Sequence, residues 1–179
     1  VDLPRMAFCG LTGVGINMLL FFNGLSMTSP VNASLIMTVN PILVLLASAV
    51  MLGQPIVKQR LVGVILGGIG AAAILIWSSA GSKVHATWQG DLMILLNATS
   101  YAFYLVAVKP LMVKYRPLTV IAWVFIFGWV FTTPIGWSQA AEIDWSLFGE
   151  REWCGVLYVV LATTFFVYLL NVFALQELP

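Results

Sequence analysis

Long apolar runs, separated by short polar segments, follow one another along the whole chain. Residues 6–57 contain no charged side chain, and the turn signal Thr28-Ser29-Pro30 divides this stretch into two runs. Four further runs of 17 to 24 residues each end at charged or polar positions. Because a helix needs about 20 apolar residues to cross roughly 30 Å of hydrocarbon, each run can span a membrane. We therefore predict six transmembrane helices at residues 6–27, 31–53, 61–77, 92–108, 118–136 and 153–176.

These runs are too long for buried β-strands, which cover about 4 to 8 residues. Strands of a membrane barrel alternate polar and apolar residues over about 10 positions, and these runs do not alternate. A helix satisfies its own backbone hydrogen bonds in lipid, where no water is available. The predicted fold class is therefore an all-α membrane protein.

Composition supports this class. Of 179 residues, 61% are hydrophobic and 8% are charged, against about 25% charged in soluble domains. So few charges exclude a soluble enzyme and a disordered tail, and a net charge of +1 provides no basic patch for nucleic acid. Two cysteines and one histidine, His85, are too few for a disulfide scaffold or a zinc cluster, and no cofactor is expected. The chain starts at Val1 and stops directly after an apolar run, so we expect it to belong to a longer protein.

The basic residues predict the orientation of the spans. Six spans place the connecting segments alternately on two sides, of which one collects six basic residues and the other only Lys83 and Arg151. Cytoplasmic segments carry the excess of Lys and Arg, so the first side, with the N-terminal end, is predicted to be cytoplasmic. Its basic residues are Arg5, Lys58, Arg60, Lys109, Lys114 and Arg116.

All six asparagines fall inside predicted spans, where an unpaired amide is costly. In the fourth span Asn97, Tyr101 and Tyr104 share one helical face, and the first and sixth spans carry similar stripes. Two interpretations stay open: a polar cavity lined by the first, second, fourth and sixth spans, or hydrogen bonds that hold the helices together. The candidate substrate-binding residues are Asn17, Thr38, Asn40, Asn97, Tyr101, Tyr104, Thr164, Tyr168 and Asn171.

Two spans carry residues that predict backbone geometry. Pro41, in the middle of the second span, removes a backbone donor and predicts a helix kink. Gly63, Gly67 and Gly70 form a smooth face on the third span, which is typical of close helix packing. The span cores contain no ionisable side chain, so any proton coupling is expected at a helix end or in another part of the protein.

The stretch from residue 15 to residue 76 resembles a known family in several short motifs. These are NGLSMTSP at 23–30, ASLI at 33–36, NPIL at 40–43, LGQ at 52–54 and GVILGGIG at 63–70. They are similar to the EamA-type repeat of the drug/metabolite transporter superfamily. The chain departs from that pattern at Gln54, where the family usually has glutamate, so the family's charge at this position is missing.

The resemblance implies a bundle of ten helices in two inverted five-helix repeats, of which the six predicted spans are the third to the eighth. Residues 1–80 then end the first repeat, 81–90 form an extracytoplasmic linker, and 91–179 begin the second repeat. Leu169-Leu170 and Ala174-Leu175 match Leu19-Leu20 and Gly24-Leu25 at an offset of 150 residues. The basic residues give these two spans opposite orientations, as an inverted repeat requires.

The function implied by the resemblance is a transporter of the plasma (inner) membrane that exports small metabolites, such as amino acids or related compounds, by alternating access. Its expected partners are the lipid bilayer and a small-molecule substrate, without nucleic acid, and assembly into a homo-oligomer stays open. One alternative is a non-transporting structural or accessory membrane protein, which would lack a continuous polar cavity. The other is a membrane-embedded enzyme, for which only the acidic loop at 142–152 offers clustered ionisable residues.

Overall fold

The computed structural model describes residues 2–53, 55, 58–79 and 87–177, which form helices joined by short turns. Within these ranges no β-strand occurs. The helices are α1 (Leu3–Met27), α2 (Pro30–Met37), α3 (Asn40–Leu52), α4 (Lys58–Ser79), α5 (Trp88–Lys114), α6 (Pro117–Ala141) and α7, which comprises Glu150–Leu157, Tyr158–Phe166 and Val167–Glu177. A single 3₁₀ turn, Trp145–Leu147, precedes α7 in the described part.

Four of these helices are long and apolar enough to cross a membrane, namely α1, α5, α6 and α7. Helices α2 and α3 pass the same test together, as one broken span. The all-α class is thus confirmed for the described residues, with four or five candidate spans. Helix α4 covers the predicted third span, and the full count of six stays a prediction. The predicted linker at 81–90 lies mostly outside the described residues, which resume at Thr87.

The second predicted span is broken rather than straight. Helices α2 and α3 meet at an angle of 42°, with the break at Thr38 and Val39, just before Pro41. Pro41 has no N–H to donate to the turn before it. The amides of Thr38 and Val39 instead bond three residues back, at 3.1 and 3.0 Å, which tightens the backbone into a turn. The bend therefore lies directly upstream of the proline for which the sequence predicts a kink.

Two predicted boundaries are wrong. Helix α5 does not end at Lys109-Pro110 but continues through Pro110 to Lys114. A proline removes only its own hydrogen bond, and the amide of Tyr115, directly after the helix, donates to the carbonyl of Leu111 at 2.8 Å and closes its last turn. The predicted acidic loop is also shorter, because Glu150 and Glu152 lie in the first turn of α7. There the Glu152 carboxylate accepts a hydrogen bond from the Gly149 amide at 2.9 Å.

Helix α1 packs closely against α5 and α6 through glycine. A methyl group placed on Gly10 would lie 2.6 Å from Cβ of Phe127 in α6, and one placed on Gly13 would lie 2.5 Å from the Tyr104 ring in α5. Near the other end of α1, a methyl group on Gly90 of α5 would lie 2.7 Å from the backbone of Met27. Such approaches are possible only without a side chain, so glycine sets how near these helices come.

The glycines of α4 are placed differently. No described atom lies within 4 Å of a methyl group built on Gly63, Gly67 or Gly70, and all three positions are exposed. Close packing in the described structure therefore centres on α1 rather than on α4. The packing role predicted for the α4 glycines stays a prediction.

Polar contacts connect helices at both ends of the bundle. At the N-terminal end the Asp2 carboxylate accepts hydrogen bonds from Lys114 at 2.6 Å and from Tyr115 at 3.0 Å. These bonds, led by the one from Lys114, lower the pKa of Asp2 below its usual value. At the opposite end Thr28, which follows α1, donates to the carboxylate of Asp91 in the first turn of α5 at 2.5 Å. Hydrogen bonds thus connect the residues that flank α1 to the two ends of α5.

A cavity between four predicted spans

A cavity of about 300 Å³ lies between α1, the α2–α3 bend, α5 and α7. These elements correspond to the first, second, fourth and sixth predicted spans, which are the four with polar residues. The volume is at the lower end of the range for small-molecule sites. The lining residues are Asn17, Met18, Phe21, Phe22, Met37, Asn40, Asn97, Tyr101, Val159, Thr163, Thr164, Val167 and Tyr168.

The structure brings most of the candidate residues to this cavity. Tyr104 lies behind the lining and is 1% exposed, and Asn171 reaches the lining only through a hydrogen bond to the Tyr101 hydroxyl, at 3.0 Å. Thr38 lies elsewhere: it lines a second, mainly apolar cavity between the α2–α3 bend and α4 and donates to the carbonyl of Leu35 at 2.7 Å. The candidates that do line the first cavity are Asn17, Asn40, Asn97, Tyr101, Thr164 and Tyr168.

Two asparagines join α1 to α5 at the cavity wall. The Asn97 side chain donates to the backbone carbonyl of Asn17 at 2.7 Å, and the Asn17 side chain donates to the carbonyl of Asn97 at 3.4 Å. Asn17 and Asn97 therefore fit both interpretations that the sequence left open, the polar cavity and the hydrogen bonds that hold the helices together. These amides bond between helices and also line the space between them.

Aromatic rings form one wall of the site. The ring centres of Tyr101 and Tyr104 are 5.5 Å apart, those of Tyr104 and Tyr168 are 5.9 Å apart, and Phe125 of α6 lies 5.3 Å from Tyr168. Rings at these separations attract one another beyond their buried area. The cluster consequently fixes α5, α6 and α7 relative to one another at the level of the cavity.

The backbone of α1 is distorted next to this cluster. Residues Leu11–Gly15 form a π-helical turn, in which the usual ladder of hydrogen bonds shifts by one residue. The carbonyl of Thr12 accepts a hydrogen bond from the Ser100 hydroxyl at 2.7 Å, and the carbonyl of Gly13 accepts one from the Tyr168 hydroxyl. Side chains of α5 and α7 thus bond directly to the distorted turn of α1.

Most of the lining residues that were not among the candidates are apolar, whereas all candidates were polar side chains or tyrosines; Thr163 is the polar exception. Met18, Phe21 and Phe22 come from α1, and Val159 and Val167 come from α7. Phe21 follows Asn17 by four residues, so helical spacing alone would have placed it on the same face. The helical periodicity that identified the polar part of the wall could therefore also have identified its apolar part.

The described lining contains no charged side chain. No group of three or more His, Cys, Asp or Glu side chains within the described ranges could hold a metal ion. The chemistry that this wall offers is hydrogen bonding by amides and hydroxyls, together with contact to aromatic and aliphatic groups.

The EamA-like transporter family matches residues 1–76 and 88–179 of the chain. The chain belongs to this family. With its long apolar helices, it is a multi-pass membrane protein. The family assignment agrees with the resemblance seen in the motifs between residues 15 and 76. No solved structure matches the chain.

Curated relatives carry transporter names. The chain is 29% identical over 134 residues to the "Probable terminal-alkyne amino-acid exporter" of Streptantibioticus cattleyicolor, covering 75% of this chain and 44% of the relative. It is 31% identical over 121 residues to the "Uncharacterized transporter YyaM" of Bacillus subtilis, covering 66% of this chain and 39% of that protein. A match to the "Uncharacterized transporter YetK" of Bacillus subtilis is 26% identical over 171 residues, 94% of this chain and 51% of the relative. The chain spans about half the length of the curated relatives it matches.

Proposed function

We propose that the chain is the central part of a plasma (inner) membrane transporter that exports small metabolites, such as amino acids or related compounds, by alternating access. The observation that carries this proposal is the cavity, to which four of the predicted spans contribute polar or aromatic side chains. Transporters of this general type bind substrate near the middle of the bilayer and rock one half of the molecule against the other. The family, and the name of the relative from Streptantibioticus, agree with small-metabolite export.

In this proposal residues 1–80 end a first repeat and residues 91–179 begin a second, inverted one. The offset of 150 residues that relates the two sequences carries positions 11–15 to positions 161–165. Both segments are π-helical: the first is Leu11–Gly15, and the second falls within Tyr158–Phe166. A shared distortion at matching positions supports the pairing of α1 with α7.

Transport by the full-length protein in proteoliposomes tests the function. We expect Tyr101→Ala to lower the transport of at least one metabolite from a panel about tenfold or more, because the ring lines the cavity and its hydroxyl bonds to Asn171. Tyr158→Ala is the matched control, since Tyr158 lies on α7, is 65% exposed and does not line the cavity. Wild-type flux in the Tyr101 variant at equal abundance would contradict the site. Absence of flux for every metabolite in the wild-type protein would contradict the function.

A further inference from the structure

The polar atoms of the cavity wall are unevenly engaged. Asn97 and Thr163 use their donors within the protein, to Asn17 at 2.7 Å and to Val159 at 2.9 Å, and the Tyr168 hydroxyl donates to Gly13. In contrast, the side-chain oxygens of Asn40 and Asn97 are buried and accept no hydrogen bond from any described residue. The wall therefore has two acceptor oxygens without partners, at buried positions where an unpaired polar atom costs free energy.

The orientation of the Asn97 amide is set by its neighbours. Its nitrogen donates to the Asn17 carbonyl, so its oxygen must be the unpaired atom. The residue is 2% exposed, and a buried acceptor without a partner costs about 1–3 kcal/mol. Asn40 is less constrained, because its nitrogen has only the Met37 sulfur, at 3.5 Å. Neighbouring atoms cover both oxygens, so a ligand reaches them when the asparagine side chains turn toward the cavity. Hydrogen bonds donated to the two oxygens would then recover this free energy on binding.

The remaining lining favours the same ligand. The described wall holds no lysine or arginine that could compensate an anionic group. Phe21, Tyr101 and Tyr168 present aromatic rings, which attract cations and pack against apolar groups. A primary ammonium has three N–H donors and no acceptor, which matches unpaired amide oxygens beside aromatic rings.

We propose that the cavity selects small ligands with a primary amino group on an apolar body, and that Asn40 and Asn97 accept the hydrogen bonds of this group. The proposal rests on the transport function proposed above and adds the chemical group that the site recognises. The apolar body would contact the aromatic and aliphatic part of the wall.

Four probes with one carbon skeleton test the proposal: 3-methylbutylamine, 3-methylbutanol, 3-methylbutanoate and 3-methylbutyl-trimethylammonium. Their affinities for the purified full-length protein in detergent are measured by calorimetry at pH 7. We expect the amine to bind at least tenfold more tightly than each of the others. The trimethylammonium probe keeps the positive charge but has no N–H group. It therefore separates hydrogen bonding from attraction to the rings.

Asn40→Leu keeps the branching and the number of side-chain heavy atoms and removes one acceptor. We expect it to weaken amine binding about tenfold, which is the scale of one hydrogen bond. Asn23→Leu is the matched control, because Asn23 is exposed on α1, does not line the cavity and bonds only to Leu19 of its own helix. If Asn40→Leu does not fold, the four probes on the wild-type protein decide the question alone.

Equal affinity for the amine and the trimethylammonium probe overturns the proposal, as does tighter binding of the carboxylate or the alcohol, or no binding of the amine. Unchanged amine affinity in a folded Asn40→Leu protein overturns it as well. Metabolite flux without amine selectivity would remove this inference and leave the transport function standing. Amine-selective binding without flux of any metabolite would remove the transport function and retain the site.

Discussion

Glycine has different consequences at single positions of α1 and α4. At Gly10 the nearest atoms of α6 include the Val124 carbonyl oxygen, 2.8 Å from an added methyl group, and the Gly128 nitrogen at 3.0 Å. Backbone atoms of a packed helix cannot rotate away as the end of a side chain can. At Gly63 of α4 no described atom lies within 4 Å. The same residue type thus permits close contact at one site and leaves open space at the other.

We predict that Gly10→Ala destabilises the full-length protein by about 1–3 kcal/mol, the usual range for overpacking. The methyl group would push α1 away from α6. The measurement is the midpoint of thermal or SDS-induced unfolding of the purified protein in detergent.

Gly63→Ala is the control for this substitution. Alanine is favoured over glycine in a helix by about 1 kcal/mol, so without a clash this variant should be neutral or slightly stabilising. A Gly10→Ala protein as stable as the wild type would contradict the close contact between α1 and α6. A strongly destabilised Gly63→Ala protein would indicate that α4 packs against another part of the molecule.

At the scale of the elements, one carboxylate connects three helices. Asp91 in the first turn of α5 accepts from Thr28, which follows α1, and its oxygens lie 3.4 and 3.5 Å from the Asn32 amide nitrogen of α2. The Thr87 hydroxyl, next to the start of α5, donates to the carbonyl of Met27 at 2.7 Å. A negative charge at the first turn of α5 also interacts favourably with the helix dipole. In the sequence, Asp91 is only a charged residue directly before the apolar run at residues 92–108.

We predict that Thr28→Val and Asp91→Asn act on one interaction. Each substitution weakens the contact between α1 and α5, and losing a partner of a partly buried carboxylate costs about 1–3 kcal/mol. The loss of stability in the double variant should therefore be smaller than the sum of the losses in the two single variants, by about 0.5 kcal/mol or more. The measurement is a double-mutant cycle on unfolding in detergent.

Thr133→Val serves as the matched control in this cycle. Thr133 lies on α6, and its hydroxyl bonds only to the Trp129 carbonyl within the same helix, at 2.6 Å. Combined with Asp91→Asn it should give additive losses. Additive losses for Thr28→Val and Asp91→Asn themselves would show that this hydrogen bond does not hold the two helices together.

At the scale of the whole molecule, the distribution of basic residues predicts which ends of the helices face the cytoplasm. Asp2, Lys114 and Tyr115 lie at one end of the bundle, and Thr28 and Asp91 lie at the other. The 3₁₀ turn Trp145–Leu147 follows α6 and precedes α7, on the side predicted to be extracytoplasmic.

Cysteine labelling of the full-length protein tests this orientation. In a background whose native cysteines are replaced, we expect Ser146→Cys to react with a membrane-impermeant maleimide in intact cells. Lys58→Cys, at the start of α4, should react only after the cells are permeabilised. Both positions are exposed, so burial does not limit the reaction. The reverse pattern would contradict the predicted orientation.

The sequence alone determined the class of the protein and the location of its helices. Runs of about 20 apolar residues have few alternatives in lipid, since a backbone without water must pair with itself. The apolar pattern also located the second span, and Pro41 marked its bend, because a missing N–H acts locally. Helical spacing further selected Asn17, Asn97, Tyr101 and Tyr168, all of which line the cavity.

Only the tertiary structure decided which of these residues meet and how. It placed Thr38 on another cavity, left the oxygens of Asn40 and Asn97 without partners, and used Asp91 to join α1 to α5. It also showed close packing at the glycines of α1 rather than at those of α4. Periodicity assigns each residue to a face of its own helix. Which neighbour that face meets depends on the positions and rotations of all the helices together, which no single stretch of sequence contains.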